Sequence, residues 1–281
     1  MSGDRRDAWP KGRITSQSSG PIIPPMNDIE TLITVPQAKE LEPLIGSIVA
    51  AGYQRRSLTL GRLDCHLFDE LRLILMVGGH GKTQLAVHTQ HLIDQVADLR
   101  VVVCAGAAGR LDADLALGDV VVGTSTIEHD YKLRFVQRPL PQYEANAQLL
   151  AEFEIAGSQP GRPFRVLFGA IASGDEDIID PARALELRKV TGALCTAWEG
   201  AGAARAAHFS GCQFVEVRAI TDSADQTAAT DFQANLQHSM PNLAHILLRW
   251  SQIRRQGSPT SASRRHGVSG VVNSEDTGAR G

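Results

Sequence analysis

Short apolar runs alternate with stretches of helical periodicity along most of the chain. Leu32–Val35 is an apolar run stopped by Pro36, and a helical pattern follows from Gln37 to about Ala51. Runs of Val, Ile and Leu between turn residues are typical of buried strands, whereas helices repeat their apolar positions every three to four residues. Further strands are predicted near 57–60, 63–68, 71–77, 99–104, 118–122, 164–172, 192–196 and 213–220. Further helices are predicted over 82–93, 181–190, 199–209 and 231–249.

This order of elements predicts an α/β fold with one domain, in which a central mixed twisted sheet is flanked by helices. The three runs between 57 and 77 are separated by short polar turns, which favours a meander. The segment from His129 to Asn146 is polar and aromatic, contains prolines and predicts a long loop. Long ordered loops in compact domains are usually functional.

Polar segments rich in Ser and Gly lie at both ends of the chain. We expect residues 1–28 to be a disordered extension, 29–254 to be the domain, and 255–281 to be a disordered tail. Translation from Met1 and from Met26, which follows two prolines, both remain open. The first residues carry positive charges without the apolar stretch of a secretory signal. No segment reaches the roughly 20 apolar residues of a membrane span, so we expect a cytoplasmic protein with no membrane partner.

Composition disfavours two further classes of function, nucleic-acid binding through bulk charge and zinc binding by cysteines. Hydrophobic residues make up 43% of the 281 positions, enough for a sizeable core, and the net charge is −3. A near-neutral balance disfavours binding of nucleic acid through bulk charge. Cys65, Cys104, Cys195 and Cys212 are far apart and form no CxxC pair, so buried free thiols are favoured over a zinc site. No metal and no cofactor are predicted.

The segment from Gly78 to Thr83 contains three glycines followed by Lys-Thr. It resembles a phosphate-binding P-loop, but the GxxxxGK[ST] spacing would require glycine where Met76 stands. The better interpretation is a glycine-rich turn ahead of a helix, where backbone N–H groups can face a ligand. Gly79 is therefore a candidate binding residue, and a tight turn without a ligand is the alternative.

Two segments place carboxylates at the ends of buried elements. Val215–Asp225 is an apolar strand that ends in acidic residues, and Trp198–Ala204 puts Glu199 at the start of a helix rich in Gly and Ala. Carboxylates placed in this way can protonate a leaving group or bind sugar hydroxyls. The alternative for Glu199 is a charge that interacts only with the helix dipole.

These two segments, with Cys104–Gly109, Leu117–Val122 and Ser173–Asp175, resemble the nucleoside phosphorylase/nucleosidase superfamily from about Leu32 to Trp250. They are most similar to the methylthioadenosine/S-adenosylhomocysteine nucleosidases. The resemblance implies hydrolysis of the N-glycosidic bond of a purine nucleoside, specifically a 5′-modified adenosine. It also implies a small-molecule nucleoside substrate, no nucleic-acid partner, and a homo-oligomer, a dimer or larger, with the loop from 129 to 146 as a candidate contact.

The resemblance assigns roles to particular residues. Asp222 matches the acid that protonates the leaving base, and Glu199 matches the carboxylate that binds the ribose hydroxyls. Glu40 matches the glutamate that orients the attacking water, although a one-residue offset leaves Glu42 as a rival. Gly106 matches the start of a glycine turn, Gly106–Gly109, where the backbone approaches a ligand on the sugar side. The other matching positions are Trp198 beside the sugar or base, Asp177, Ile178 and Phe232 in the pocket, and Arg218 behind them, where it orients a carboxylate.

Several positions depart from the family pattern. Cys104 stands where the phosphorylases have a phosphate-binding arginine, which favours water as the nucleophile. Ala107 replaces a serine, Asp177 an aromatic ring and Ala197 a glutamate. These departures leave two alternatives: a phosphorylase or a hydrolase of another nucleoside, such as futalosine or a hopanoid-linked adenosine, and a non-catalytic nucleoside-binding relative.

Overall fold

The computed structural model describes residues 28–257. The strands are β1 (Thr31–Val35), β2 (Arg56–Leu60), β3 (Leu63–Phe68), β4 (Leu73–Val77), β5 (Val101–Arg110), β6 (Val120–Glu128), β7 (Gln142–Glu144), β8 (Val166–Ser173), β9 (Cys195–Ala197) and β10 (Gln213–Asp222). The helices are α1 (Ala38–Ala50), α2 (Lys82–Gln95), α3 (Ala147–Gly157), α4 (Pro181–Thr191), α5 (Gly200–Phe209) and α6 (Ala228–Gly257). Residues 1–27 and 258–281, most of the predicted extension and tail, lie outside the described range.

These strands form one mixed sheet, in the order β10-β6-β8-β9-β5-β1-β4-β3-β2, with β7 paired to β6. Strand β10 also pairs in parallel with β5, from Gln213 beside Val101 to Asp222 beside Gly109. This extra pairing closes β5, β10, β6, β8 and β9 into a ring, from which β1, β4, β3 and β2 extend. The predicted α/β fold with a mixed central sheet is confirmed.

The sheet separates the two larger hydrophobic cores of the described residues, and alternation along β1, β4 and β5 supplies both. In β1, Ile33 belongs to the core beneath α1, α3 and α6, whereas Leu32 belongs to the core beneath α2 and α5. Successive side chains of a strand point to opposite faces, so a fully apolar run is what a strand covered on both faces requires. In the described part of the chain, no helix is both long and apolar enough to cross a membrane.

The structure corrects four predictions. Gly106–Gly109 is not a turn but lies within the continuous strand β5. The predicted loop after His129 contains β7, which pairs with β6. Helix α3 was not predicted, although the side chain of Asn146 caps it at the N-terminus. Helix α6 is longer than predicted and passes through Pro241, because its buried apolar face holds it against the core.

Candidate active site

A cavity of about 330 Å³ opens where β1, β4, β8, β9 and β10 end. Ligands of α/β proteins commonly bind where strands end, because the following turns supply side chains and free backbone groups. Residues that we predicted from the sequence line it: Glu40, Asp177, Ile178, Trp198, Glu199, Asp222 and Phe232. The lining also includes Pro36, Gln37, Lys39, His80, Ala107, Ala108, Gly109, Glu176, Ile179, Thr196, Ala197, Thr221, Ala224, Ala228, Ala229 and Gln233.

Glu40 is the carboxylate on the α1 side of the cavity and is only 2% exposed. It lies in the first turn of α1, where its Oε2 accepts a hydrogen bond of 3.0 Å from the backbone N–H of Gln37. Its Oε1 accepts a hydrogen bond of 2.7 Å from the backbone N–H of Ala107 in β5. Burial nevertheless dominates and raises the pKa of Glu40 to about 7. Glu42, the rival position, is exposed and does not line the cavity.

Glu199 lies between β9 and α5 and is buried. Its Oε1 accepts a hydrogen bond of 3.4 Å from the backbone N–H of Gly81 and lies 3.4 Å from Nδ1 of His80. The His80 ring stacks on Trp198 with the two ring centroids 4.3 Å apart. Burial raises the pKa of Glu199, opposed by the neighbouring charge of Arg218. The glycine-rich turn before α2 therefore directs a donor at Glu199.

Arg218 lies behind these two glutamates in β10 and is buried to 1% exposure. Its Nε donates a hydrogen bond of 2.8 Å to Oε1 of Glu216, and its Nη2 lies 3.6 Å from Oε2 of Glu199. Its Nη1 donates to the carbonyl of Ala107 at 3.3 Å and its Nη2 to Sγ of Cys104 at 3.4 Å. Arg218 therefore contacts one buried carboxylate directly and lies near a second, and its guanidinium does not line the cavity.

Asp222 is the last residue of β10 and also lines the cavity. Its Oδ1 accepts a hydrogen bond of 3.0 Å from the backbone N–H of Ala224, and its Oδ2 accepts one of 3.0 Å from Oγ1 of Thr221. Ala224 has a φ of 50°, in the left-handed region that is costly for a residue with a Cβ. This tight turn directs the carboxylate back toward the cavity. Burial raises the pKa of Asp222 above its usual value.

The predicted glycines act differently from expectation. Gly106 does not line the cavity, because its face is covered by charged groups: a Cβ there would lie 2.8 Å from Oε1 of Glu40 and 2.8 Å from Nη1 of Arg218. Gly79 is also away from the cavity, and its φ of 99° serves the turn, where a Cβ would collide with Gln84. Gly106 thus gives space to buried charged side chains, and Gly79 gives its conformation to a turn.

The mouth of the cavity has a mixed character. Ile178 is buried, whereas Asp177 is exposed beside it. Phe232 of α6 is half-buried, and Nζ of Lys39 lies 4.4 Å from the centre of its ring. The opening thus offers an apolar surface with charges at its edge, which suits a ligand that has both a ring system and polar groups.

Sequence reasoning missed His80 and Glu216 at this site. His80 lies inside a glycine-rich turn, and such a turn indicates backbone N–H donors rather than a functional side chain. Glu216 had a detectable signal, since a carboxylate in the middle of the apolar run Phe214–Val217 must find a partner in the core. Among residues 28–257, no group of three or more His, Cys, Asp or Glu side chains is arranged to hold a metal.

Comparison with known proteins identifies the family. The model of the phosphorylase superfamily matches residues 32–250, which include the whole cavity. The chain belongs to the phosphorylase superfamily.

Individual relatives are similar over most of this domain. A 5′-methylthioadenosine/S-adenosylhomocysteine nucleosidase of Mycobacterium bovis is 25% identical over 251 residues, covering 79% of this chain and 95% of its own length. The nucleosidase of the same name from Neisseria meningitidis, solved with methylthio-immucillin-A, has a TM-score of 0.70 at 26% identity and covers 81% of this chain and 99% of its own. Futalosine hydrolase of Helicobacter pylori shares the fold, with a TM-score of 0.70 at 23% identity over 80% of this chain and 98% of its own.

The burial of Glu40 predicts a pH dependence of stability. The folded-state pKa of about 7 lies above the value of 4.5 expected for the unfolded chain, so folding favours the protonated form. The contribution of protonated Glu40 to the stability of the fold is complete below pH 4.5 and is lost as the pH rises through 7. As the pH rises from 4.5 to about 7, the free energy of unfolding of Glu40→Gln should increase by about 3 kcal/mol relative to that of the wild type. Urea unfolding of both proteins across this range measures the difference, and a constant difference would contradict the assignment.

Proposed function

We propose that this protein hydrolyses the N-glycosidic bond of a 5′-modified adenosine of the methylthioadenosine or S-adenosylhomocysteine type and releases the free base. The observation that carries the proposal is one cavity lined by Glu40, Glu199 and Asp222, with the pKa of each carboxyl raised. The names of the relatives at 25% and 26% identity support the adenosine class of substrate.

Asp222 is the proposed general acid. Breaking the glycosidic bond leaves negative charge on the base, and a carboxylic acid that shares its proton with the base lowers this barrier. Such an acid must hold its proton near neutral pH, and burial raises the pKa of Asp222 in that direction. The hydrogen bonds from Thr221 and Ala224 fix its orientation.

Glu199 and Glu40 have the two other proposed roles, binding of the ribose and activation of the water. Glu199 is the proposed anchor of the ribose hydroxyls, since an ionised carboxylate can accept two adjacent O–H donors. Glu40 is the proposed base that orients and deprotonates the attacking water. Its pKa of about 7 suits it to exchange a proton near neutrality.

Water is the proposed nucleophile because the lining of the cavity is acidic. Five carboxylates line it, those of Glu40, Glu176, Asp177, Glu199 and Asp222. The lining includes the cation Lys39, which lies over Phe232 at the mouth. A phosphate anion needs a clamp of positive charge or several donors, whereas a neutral water does not.

Asp222→Asn should lower kcat by about 10²–10⁴-fold, because an amide cannot deliver the proton. Asp225→Asn is the matched control, since Asp225 lies three residues later, outside the cavity, and caps the following turn through Thr227. Release of adenine from methylthioadenosine, followed by chromatography, measures both. An Asp222→Asn enzyme with more than about a tenth of the wild-type kcat would rule out acid catalysis by this residue.

The wild-type enzyme should release free base and free sugar from methylthioadenosine at the same rate with and without millimolar phosphate. The acidic lining of the cavity is the reason for this expectation. Product analysis on a panel of purine nucleosides, in phosphate-free and phosphate-containing buffer, makes the test and also ranks the substrates. A sugar 1-phosphate that forms only with phosphate would establish a phosphorylase instead. Absence of release from every nucleoside would support a non-catalytic binding protein.

The loop after β6 supports a further proposal, that the protein is a homo-oligomer. Tyr131, Leu133, Phe135 and Val136 are exposed large apolar side chains in a single short segment, and Phe135 is fully exposed. Exposed apolar clusters of this kind mark contact surfaces.

Sedimentation of the wild-type protein should therefore give a mass of at least a dimer. Phe135→Asp should lower this mass, whereas Phe209→Asp, at an exposed site on α5, should leave it unchanged. A monomeric wild-type protein would exclude the proposal.

A further inference from the structure

Glu216 lies beneath the cavity, in the middle of β10, and its side chain is fully buried. Its Oε1 accepts the 2.8 Å hydrogen bond from Nε of Arg218, and its Oε2 accepts one of 2.6 Å from Oγ1 of Thr126 in β6. The backbone of Gly200 lies against the same carboxylate so closely that a Cβ there would collide with it. The carboxylate is therefore fixed from β6, β10 and the start of α5.

These contacts determine which way Arg218 faces. Because Glu216 binds the Nε edge, the two Nη groups are directed at Glu199, at the carbonyl of Ala107 and at Sγ of Cys104. A guanidinium has a rigid fork of donors, so fixing one edge fixes the others. Glu216 does not line the cavity, and it therefore acts on the site through Arg218.

Glu216 also affects the balance of charge around Arg218. Glu40, Glu199 and Glu216 are all buried carboxylates, and Arg218 is the cation that acts on them from within the sheet. Other titratable groups that face the cluster are the thiols of Cys104 in β5 and Cys195 in β9, and His80, which lies near Glu199. Three carboxylates cannot all be well compensated by one guanidinium, because like charges in a buried site oppose each other's ionisation.

We propose that Glu216 is a positioning residue for the reaction: it fixes the Arg218 guanidinium against Glu199 and withholds part of its positive charge from Glu40. The proposal rests on the proposed function, because it assigns Glu40 as the base. Without Glu216, more of the charge of Arg218 would favour the ionised form of Glu40. The carboxylate at Glu216 thus keeps the base able to accept a proton near neutral pH.

Glu216→Gln tests the charge while keeping the contacts, since the amide oxygen still accepts a hydrogen bond from Nε of Arg218. The acidic limb of the pH profile of kcat/KM should move to lower pH by about one unit in this variant. Thr126→Val is the matched control: it removes a buried hydrogen bond to the same carboxylate and keeps its charge, so its limb should stay in place. An unmoved limb in Glu216→Gln, or an equal shift in Thr126→Val, would overturn the proposal.

A titration of the Glu40 carboxyl by ¹³C NMR, assigned with Glu40→Gln, gives the same answer without turnover. If the wild-type protein releases base from no nucleoside, the proposed function fails, and this titration still decides the effect of Glu216 on Glu40. Should Glu216→Gln not fold, Glu216→Asp takes its place, because it withdraws the carboxylate by roughly 1.5 Å. It should shift the titration of Glu40 in the same direction by a smaller amount, and no shift would again overturn the proposal.

Discussion

Arg218 is the buried cation on which the acidic wall of the cavity depends. Its guanidinium contacts Glu216 directly, lies 3.6 Å from Glu199 and faces Gly106 beside Glu40. Removing one partner of such a buried pair typically costs about 3–5 kcal/mol, because the other charge remains without compensation. The three glutamates buried around this guanidinium, on α1, at the start of α5 and in β10, therefore depend on Arg218 for their compensation.

Room for these charges comes from residues without large side chains. The segment of strand β5 next to the cavity, Ala105–Gly109, contains only Ala and Gly. Gly106 lies against the carboxylate of Glu40, and Gly109 lies against that of Asp222. A single added methyl group at either position would come within 3 Å of a carboxylate oxygen. The same small residues allow β5 to pair with both β10 and β9 and so to close the ring of strands. Fold and site thus share one sequence requirement.

The sequence predicted the elements better than their arrangement. Alternation of apolar runs and helical patterns is a local property, so the α/β class and Asp222 at a strand end could be predicted. Closure of the sheet through β10 and β5 depends on contacts more than a hundred residues apart, which no local pattern records. The glycines of β5 were interpreted as a turn because glycine is common in turns, whereas here it relieves crowding. Glu216 is a charge in an apolar run, but the sequence does not show that Arg218, two residues later, is its partner.

The two carboxyls proposed as acid and base differ in how much water they still contact. Glu40 is 2% exposed and is already held by two backbone N–H groups, whereas Asp222 is 8% exposed at the wall of the cavity. A ligand that fills the cavity removes water mainly from the more exposed group, and loss of water favours the neutral form of a carboxyl. In the proposed mechanism, a substrate that fills the cavity would therefore raise the pKa of Asp222 more than that of Glu40. The proposed base is already out of contact with water in the free protein, whereas the proposed acid loses its remaining water when the substrate binds.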